Sequence, residues 1–193
     1  MNRQEVYQPG EDTFLLLSAA QQECREQDLV LEVGCGSGYI AAAILDGPLV
    51  KCPEVLACDI NPHAARVACS RGLDVVRADL LCGIRGPFDL VLFNPPYLPT
   101  SPDERMDDWL EYALDGGPDG RAVISRFIES VDRVLASRGR FLLLISSLTG
   151  IREVASLIEK AGFVYEVILQ QSIEGEDLLV IRGKRGREEE QLS

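Results

Sequence analysis

Short apolar runs rich in Val, Leu and Phe alternate along the chain with stretches in which apolar residues recur every three or four positions. An unbroken or alternating apolar run marks a strand, and the longer period marks a helix that buries one face. Strands are therefore expected over 29–33 (Leu-Val-Leu-Glu-Val), 54–58, 73–77, 88–93 (Phe-Asp-Leu-Val-Leu-Phe), 140–145, 163–169 and 177–182. Helices fit between them over about 13–24, 38–46, 62–71, 120–136 and 150–161. The third helix is the best marked, because Asn61 can cap it and Pro62 falls in the first turn, where an N–H has no partner. Strand and helix in alternation predict a parallel sheet covered by helices on both faces. The last two strands have only Gln170 to Gly175 between them, which predicts an antiparallel hairpin and a mixed sheet. The expectation is one α/β domain over 1–183, then a frayed tail over 184–193, where a charged run replaces the apolar period.

A chain of 193 residues, 46% hydrophobic and 26% charged, suits one soluble globular domain with a full core. No apolar stretch approaches the roughly 18 residues of a membrane span, and the start, Met1-Asn2-Arg3-Gln4-Glu5, carries no apolar signal region, so an intracellular protein is expected, in the cytoplasm. The formal charge of −12 argues against a phosphate-backbone partner. Residues 101–120 concentrate it: seven acids stand there against one base, Arg105. The six cysteines, Cys24, Cys35, Cys52, Cys58, Cys69 and Cys82, form no Cys-x-x-Cys pair, and with a single His in the chain no metal site is expected. They are expected to be reduced and packed.

Candidate chemistry begins with Glu32-Val33-Gly34-Cys35-Gly36-Ser37-Gly38, a glycine-rich turn between a strand and a helix. Glycine lets the backbone approach a ligand closely. The spacing is G-x-G-x-G, and a carboxylate stands just ahead of it. An adenosine ligand with a cationic end therefore fits better than a diphosphate. Asp59 ends the next strand, 25 residues beyond Gly34, where an open α/β sheet offers a carboxylate to ribose hydroxyls. An Asx turn ahead of Asn61-Pro62 is the plainer alternative. Asp79 follows the third strand and could accept from an adenine amine. Three acids after three successive strands converge on one crevice at the carboxyl edge of the sheet.

Asn94-Pro95-Pro96-Tyr97 follows the fourth strand. Consecutive prolines stiffen the chain and remove two N–H donors, leaving the carbonyls of Asn94 and Pro95 to face a ligand. The Asn94 side chain adds an acceptor, and Tyr97 can stack on a planar group and set its approach. Acceptors placed for both hydrogens of a planar amine or amide could fix that nitrogen as it pyramidalises toward a methyl sulfonium.

At these residues the chain resembles the class I S-adenosylmethionine-dependent methyltransferases, and among them the HemK/PrmC family, which methylates the glutamine side chain of class 1 translation release factors. Three segments carry the resemblance: Tyr7-Gln8-Pro9-Gly10-Glu11-Asp12-Thr13, the loop from Leu31 to Gly38, and Asn94 to Tyr97. It implies a Rossmann-like seven-stranded class I methyltransferase sheet with helices on both faces and an antiparallel C-terminal strand. It implies S-adenosylmethionine as cofactor, held by Tyr7, Thr13, Glu32, Gly34, Gly36, Gly38, Asp59, Asp79, Leu80 and Asn94. Asn94, Pro95, Pro96 and Tyr97 match the catalytic loop. With only about 12 residues ahead of the first helix, the chain resembles the short archaeal and eukaryotic branch. Its members pair with a small zinc-binding activator that adds to a sheet edge, here Leu73 to Arg77. Asp115 to Gly120 also resembles a family turn; a plain helix-preceding turn and a substrate role stand about even for it. Leu98 to Leu114 departs from the family in length and acidity, and an acidic rim would suit a peptide with basic neighbours.

The expected reaction is transfer of a methyl group to the side-chain amide nitrogen of a glutamine in a release factor. An adenine-N6 methyltransferase of DNA or RNA presents the same two hydrogens to the loop but must hold a polyanion. A protein lysine methyltransferase would need a deprotonated amine, and a non-catalytic cofactor-binding scaffold would have no use for Asn94. His63, beside the Asn61 cap, is expected to be a surface helix residue.

Overall fold

A computed structural model describes residues 5–47, 54–100 and 109–186 of the chain. Cys52, the acids from Asp103 to Asp108 and the tail from 187 lie outside the described residues. The elements run α1 (Glu11–Glu23), β1 (Leu29–Val33), α2 (Tyr39–Leu45), β2 (Glu54–Asp59), α3 (Pro62–Ser70), β3 (Asp74–Arg77), β4 (Phe88–Phe93), α4 (Trp109–Tyr112), α5 (Ala122–Val131), β5 (Leu135–Ser146), α6 (Ile151–Lys160), β6 (Phe163–Ile173) and β7 (Glu176–Arg185). The strands form one sheet in the order β3-β2-β1-β4-β5-β7-β6. β1 to β5 pair in parallel, and β7 runs antiparallel between β5 and β6.

Both faces of the central strands are buried, and side-chain alternation divides them between two cores. Leu31, Phe93, Phe141 and Leu143 pack on one side with Phe127 and Ile128 of α5 and Ile158 of α6. Val30, Leu92, Leu142 and Leu144 pack on the other with Leu16 and Ala20 of α1 and Ile40 and Ile44 of α2. Continuous apolar runs in β1, β4 and β5 thus follow from central strands with no solvent face. Between β1 and β4 the winding reverses, since β1 leads outward to β2 and β3 while β4 starts the other half. The register pairs Val33 with Phe93, so the glycine-rich turn and Asn94 leave adjacent strands side by side at this switch point.

The helix over 120–136 and the strand from 140 need correction: α5 stops at Val131 and β5 begins at Leu135. Main-chain bonds from Arg133 to Ser130 and from Val134 to Val131 close a turn there, and a register shift between Phe88 and Leu90 lets Leu135 join the sheet early. The hairpin connection is also shorter than expected. Gln170 to Ile173 belong to β6, and Glu174 and Gly175 alone make the turn, Gly175 at φ 90°. Lys184 and Arg185, expected in the tail, continue β7; the Arg185 guanidinium bonds Asp132 and the carbonyls of Leu135 and Ala136. Asn61 caps α3 through its side chain, accepting from the His63 N–H at 2.8 Å, and Pro62 takes the first helical position.

Candidate methyl-transfer site

A cavity of about 400 Å³ opens at the carboxyl ends of β1, β2 and β4, lined also by Tyr7, Pro9, Asp12 and Thr13. Gly34 and Gly36 form its floor in left-handed conformations, φ 62° and 53°. A side chain on Gly34 would come within 3.3 Å of the Phe93 ring, so the turn is both conformationally and sterically reserved for glycine. Asp59 ties this turn to the next: its Oδ2 accepts from the Gly36 N–H and its Oδ1 from the Asn61 N–H, each at 2.8 Å. The carboxylate retains lone pairs for a ligand, because its two oxygens offer about four acceptor sites. Asp59 thus serves both the turn and the cavity. Burial pushes the Asp59 carboxyl above its ordinary value, against the opposing pull of those N–H groups.

Glu32 lies deeper and accepts from the Ala41 N–H at 2.9 Å. Burial, with Asp59 nearby as a lesser contribution, pushes its carboxyl up to about 8, even though the Ala41 N–H opposes the shift. Asp79 stands at the rim, where Arg126 of α5 pairs with it at 2.6 Å. Leu80 follows with φ 48°, and the Arg77 guanidinium lies 5.9 Å from the centre of the Trp109 ring.

At the other end of the cavity Asn94 donates from Nδ2 to Asp12 at 3.0 Å. Its Oδ1 is buried and has no hydrogen-bond partner. A buried amide oxygen left unpaired is costly, and Asn94 lines the cavity. Tyr7 donates its hydroxyl to the same Asp12 carboxylate at 3.1 Å. Pro95, Pro96, Tyr97 and Glu176 complete this end. The Tyr7 and Tyr97 phenols are pushed well above their ordinary value, first by burial and then by the Asp12 charge, so both stay protonated.

Residues 9–106 match the profile of the methyltransferase small domain. A Methanocaldococcus jannaschii protein with the provisional name protein N5-glutamine methyltransferase is 38% identical, across 94% of this chain and 92% of its own length. The chain belongs to the methyltransferase small-domain family. The methyltransferase HEMK2 of Homo sapiens is 34% identical over 92% of this chain and 89% of its own. Among solved structures, the E. cuniculi Mtq2-Trm112 complex, responsible for methylation of the eRF1 translation termination factor, matches with a TM-score of 0.78 and 33% identity, covering 94% of this chain and 99% of that one.

S-adenosylmethionine is the cofactor of this methyltransferase, and the donor set fits it. Carboxyl groups at three strand ends suit hydroxyls, an amine and a cationic arm, and the glycine floor admits a flat or extended ligand against the backbone. Of the residues expected to hold it, Tyr7, Thr13, Glu32, Gly34, Gly36, Asp59, Asp79, Leu80 and Asn94 all line the one cavity. Gly38 does not. It starts α2 at φ 72°, and a side chain there would stand 2.5 Å from Leu73 Cδ1 and 2.9 Å from Ala68 Cβ, so this glycine serves helix packing.

Asp115 to Gly120 braces the segment that continues from Asn94-Pro95-Pro96-Tyr97 and does not line the cavity. Gly116 N–H bonds the Leu98 carbonyl and Thr100 N–H the Gly117 carbonyl, both at 3.0 Å, while a side chain on Gly120 would strike the Tyr97 carbonyl at 2.4 Å. Asp12, Arg126 and Glu176 also line the cavity; Arg126 and Glu176 carry no local motif, and Asp12 lies inside the N-terminal one. Cys24, Cys35 and Cys58 are buried and Cys69 and Cys82 exposed, so packing accounts for only some of the cysteines. His63 lies part-exposed on α3, its Nδ1 2.9 Å from Glu5.

Proposed function

We propose that this chain methylates the side-chain amide nitrogen of a glutamine in a class 1 translation release factor, working in the cytoplasm as the catalytic subunit beside a small zinc-binding activator. The observation that carries the reading is the unpartnered Asn94 Oδ1, set at the switch point beside the glycine turn. When bound, S-adenosylmethionine supplies an electrophilic methyl group on sulfur. Glu32, Asp59, Asp79 and the Gly34–Gly36 backbone would hold it; the chain's remaining task is to present the nucleophile.

A primary amide brings two N–H donors and a weakly nucleophilic nitrogen. Asn94 Oδ1 and the carbonyls of Asn94 and Pro95 offer acceptors, and with both hydrogens held, the nitrogen's remaining direction of attack is fixed. Tyr97, half-buried beside Asn94, can pack on the amide plane. Protonated phenols at Tyr7 and Tyr97 are not bases, so the site works by orientation and acceptors, and the surplus proton leaves after the transfer. The chain's charge of −12 suits a basic segment around the glutamine.

For the activator, β3 supports edge pairing. It is a four-residue parallel strand at the margin of the sheet, with Val76 42% exposed and Val67 of the adjoining α3 38% exposed. The test is to co-express the chain with a zinc-binding activator, supply labelled S-adenosylmethionine, and offer a release factor, its Gln→Ala variant and DNA. Label on the release factor alone is expected. Label on DNA and none on the release factor overturns the reading.

A further inference from the structure

The hydrogen bond that holds Asn94 has a direction, and that direction is set outside its loop. A side-chain amide has one donating and one accepting end, and half a turn about its last bond exchanges them with little change of shape. Asp12, at the start of α1 and 5% exposed, removes the choice. Its Oδ1 accepts from the Thr13 N–H at 2.6 Å and from the Thr13 hydroxyl at 3.2 Å. Its Oδ2 accepts from the Tyr7 hydroxyl at 3.1 Å and from Asn94 Nδ2 at 3.0 Å. A carboxylate only accepts. Asn94 must turn its N–H₂ toward Asp12, which leaves Oδ1 as the free acceptor of a cavity-lining residue.

We propose that Asp12 is a positioning residue of the transfer site: it locks the amide orientation in which Asn94 accepts from the nitrogen being methylated, and Tyr7 and Thr13 hold the carboxylate for that task. The inference rests on the reading of Asn94 as acceptor for a substrate amide. With Asn94 reversed, its N–H₂ would face the N–H₂ of the substrate, donor against donor.

Asp12→Asn keeps the shape but allows position 12 to donate to Asn94 Oδ1 and so consume the acceptor. In the activator-bound chain, kcat is expected to fall roughly 10²-fold, the scale of one transition-state polar contact, while KM for the release factor and affinity for S-adenosylmethionine stay within several-fold. The reciprocal pair Asp12→Asn with Asn94→Asp restores a donor facing a carboxylate and keeps an acceptor at 94. It is expected to turn over about tenfold faster than Asp12→Asn alone. A double variant no faster than the single one overturns the proposal. A second readout needs no turnover: nitrogen-15 NMR of the Asn94 side chain should show amide protons protected from solvent exchange in the unaltered chain and exchanging at least about tenfold faster in Asp12→Ala. Equal exchange also overturns it. Protection without methylation of any release factor would support the Asp12 lock while removing the glutamine reading.

Discussion

The two ends of the cavity are built on opposite plans. At the cofactor end each acid has a protein partner: Glu32 an N–H of α2, Asp59 two turn N–H groups, Asp79 the Arg126 guanidinium. At the transfer end the partners are just as many, but they converge on Asp12 and leave Asn94 Oδ1 with none. The first end is satisfied alone and can share its lone pairs with a ligand. The second is complete only when a donor arrives. Affinity and turnover should therefore separate by position.

The sharpest break falls on the second end. Asn94→Ala removes the unpaired acceptor together with the group that Asp12 holds, and turnover is expected to drop roughly 10²–10³-fold, the loss typical of one contact made in the transition state. Affinity for S-adenosylmethionine, read by calorimetry on the same preparation, should stay within several-fold. If turnover is unaltered, Asn94 has no part in the reaction.

Asp59→Ala is the mirror experiment and a smaller effect. It strips an acceptor from Gly36 and Asn61 as well as from the ligand, so S-adenosylmethionine should bind about 10–100-fold more weakly, the range for a lost charge-assisted hydrogen bond. At saturating cofactor, kcat should return to within a few-fold of the unaltered enzyme. A collapse of kcat at saturation would show that the two ends are not separable.

The same division explains what was legible beforehand. The cofactor end is made of strand ends and the turns that follow them, so Glu32, Gly34, Asp59 and Asp79 announce themselves by their distance from an apolar run. Gly38 carries the same local signature, yet its constraint comes from Leu73 and Ala68 on later elements. At the transfer end, Asn94 and Pro95 were readable because the loop is contiguous, but the bond that orients Asn94 spans 82 positions. No periodicity encodes that. Arg126 gives a comparable case: on α5 it reads as one more exposed helical Arg, and only the fold brings it to Asp79. The early start of β5 has a related cause, since Leu135 joins the sheet by pairing with Phe88 of a strand far back in the chain.

The smallest expected effect concerns the cost of keeping the first end acidic. Glu32 has an ordinary value of 4.5 and is pushed up to about 8 in the fold, chiefly by burial. A carboxyl group raised in this way binds its proton more tightly folded than unfolded. Its penalty is absent at low pH, begins once the unfolded chain ionises near pH 4.5, and stops growing once the folded group also ionises near pH 8. Stability of the cofactor-free chain should therefore fall across that window as pH rises, and Asp59, shifted in the same direction, adds to the slope. Glu32→Gln removes the titration while keeping the shape. Between pH 5 and pH 8 the stability of the unaltered chain relative to this variant should decline by an amount on the order of 3 kcal/mol, read from urea unfolding at constant ionic strength. Bound S-adenosylmethionine should flatten the decline, because a cation near Glu32 favours its ionised form. A relative stability that rises with pH would mean that Glu32 is already ionised in the fold, and the contrast between the two ends would then have to rest on Asp59 and Asp79 alone.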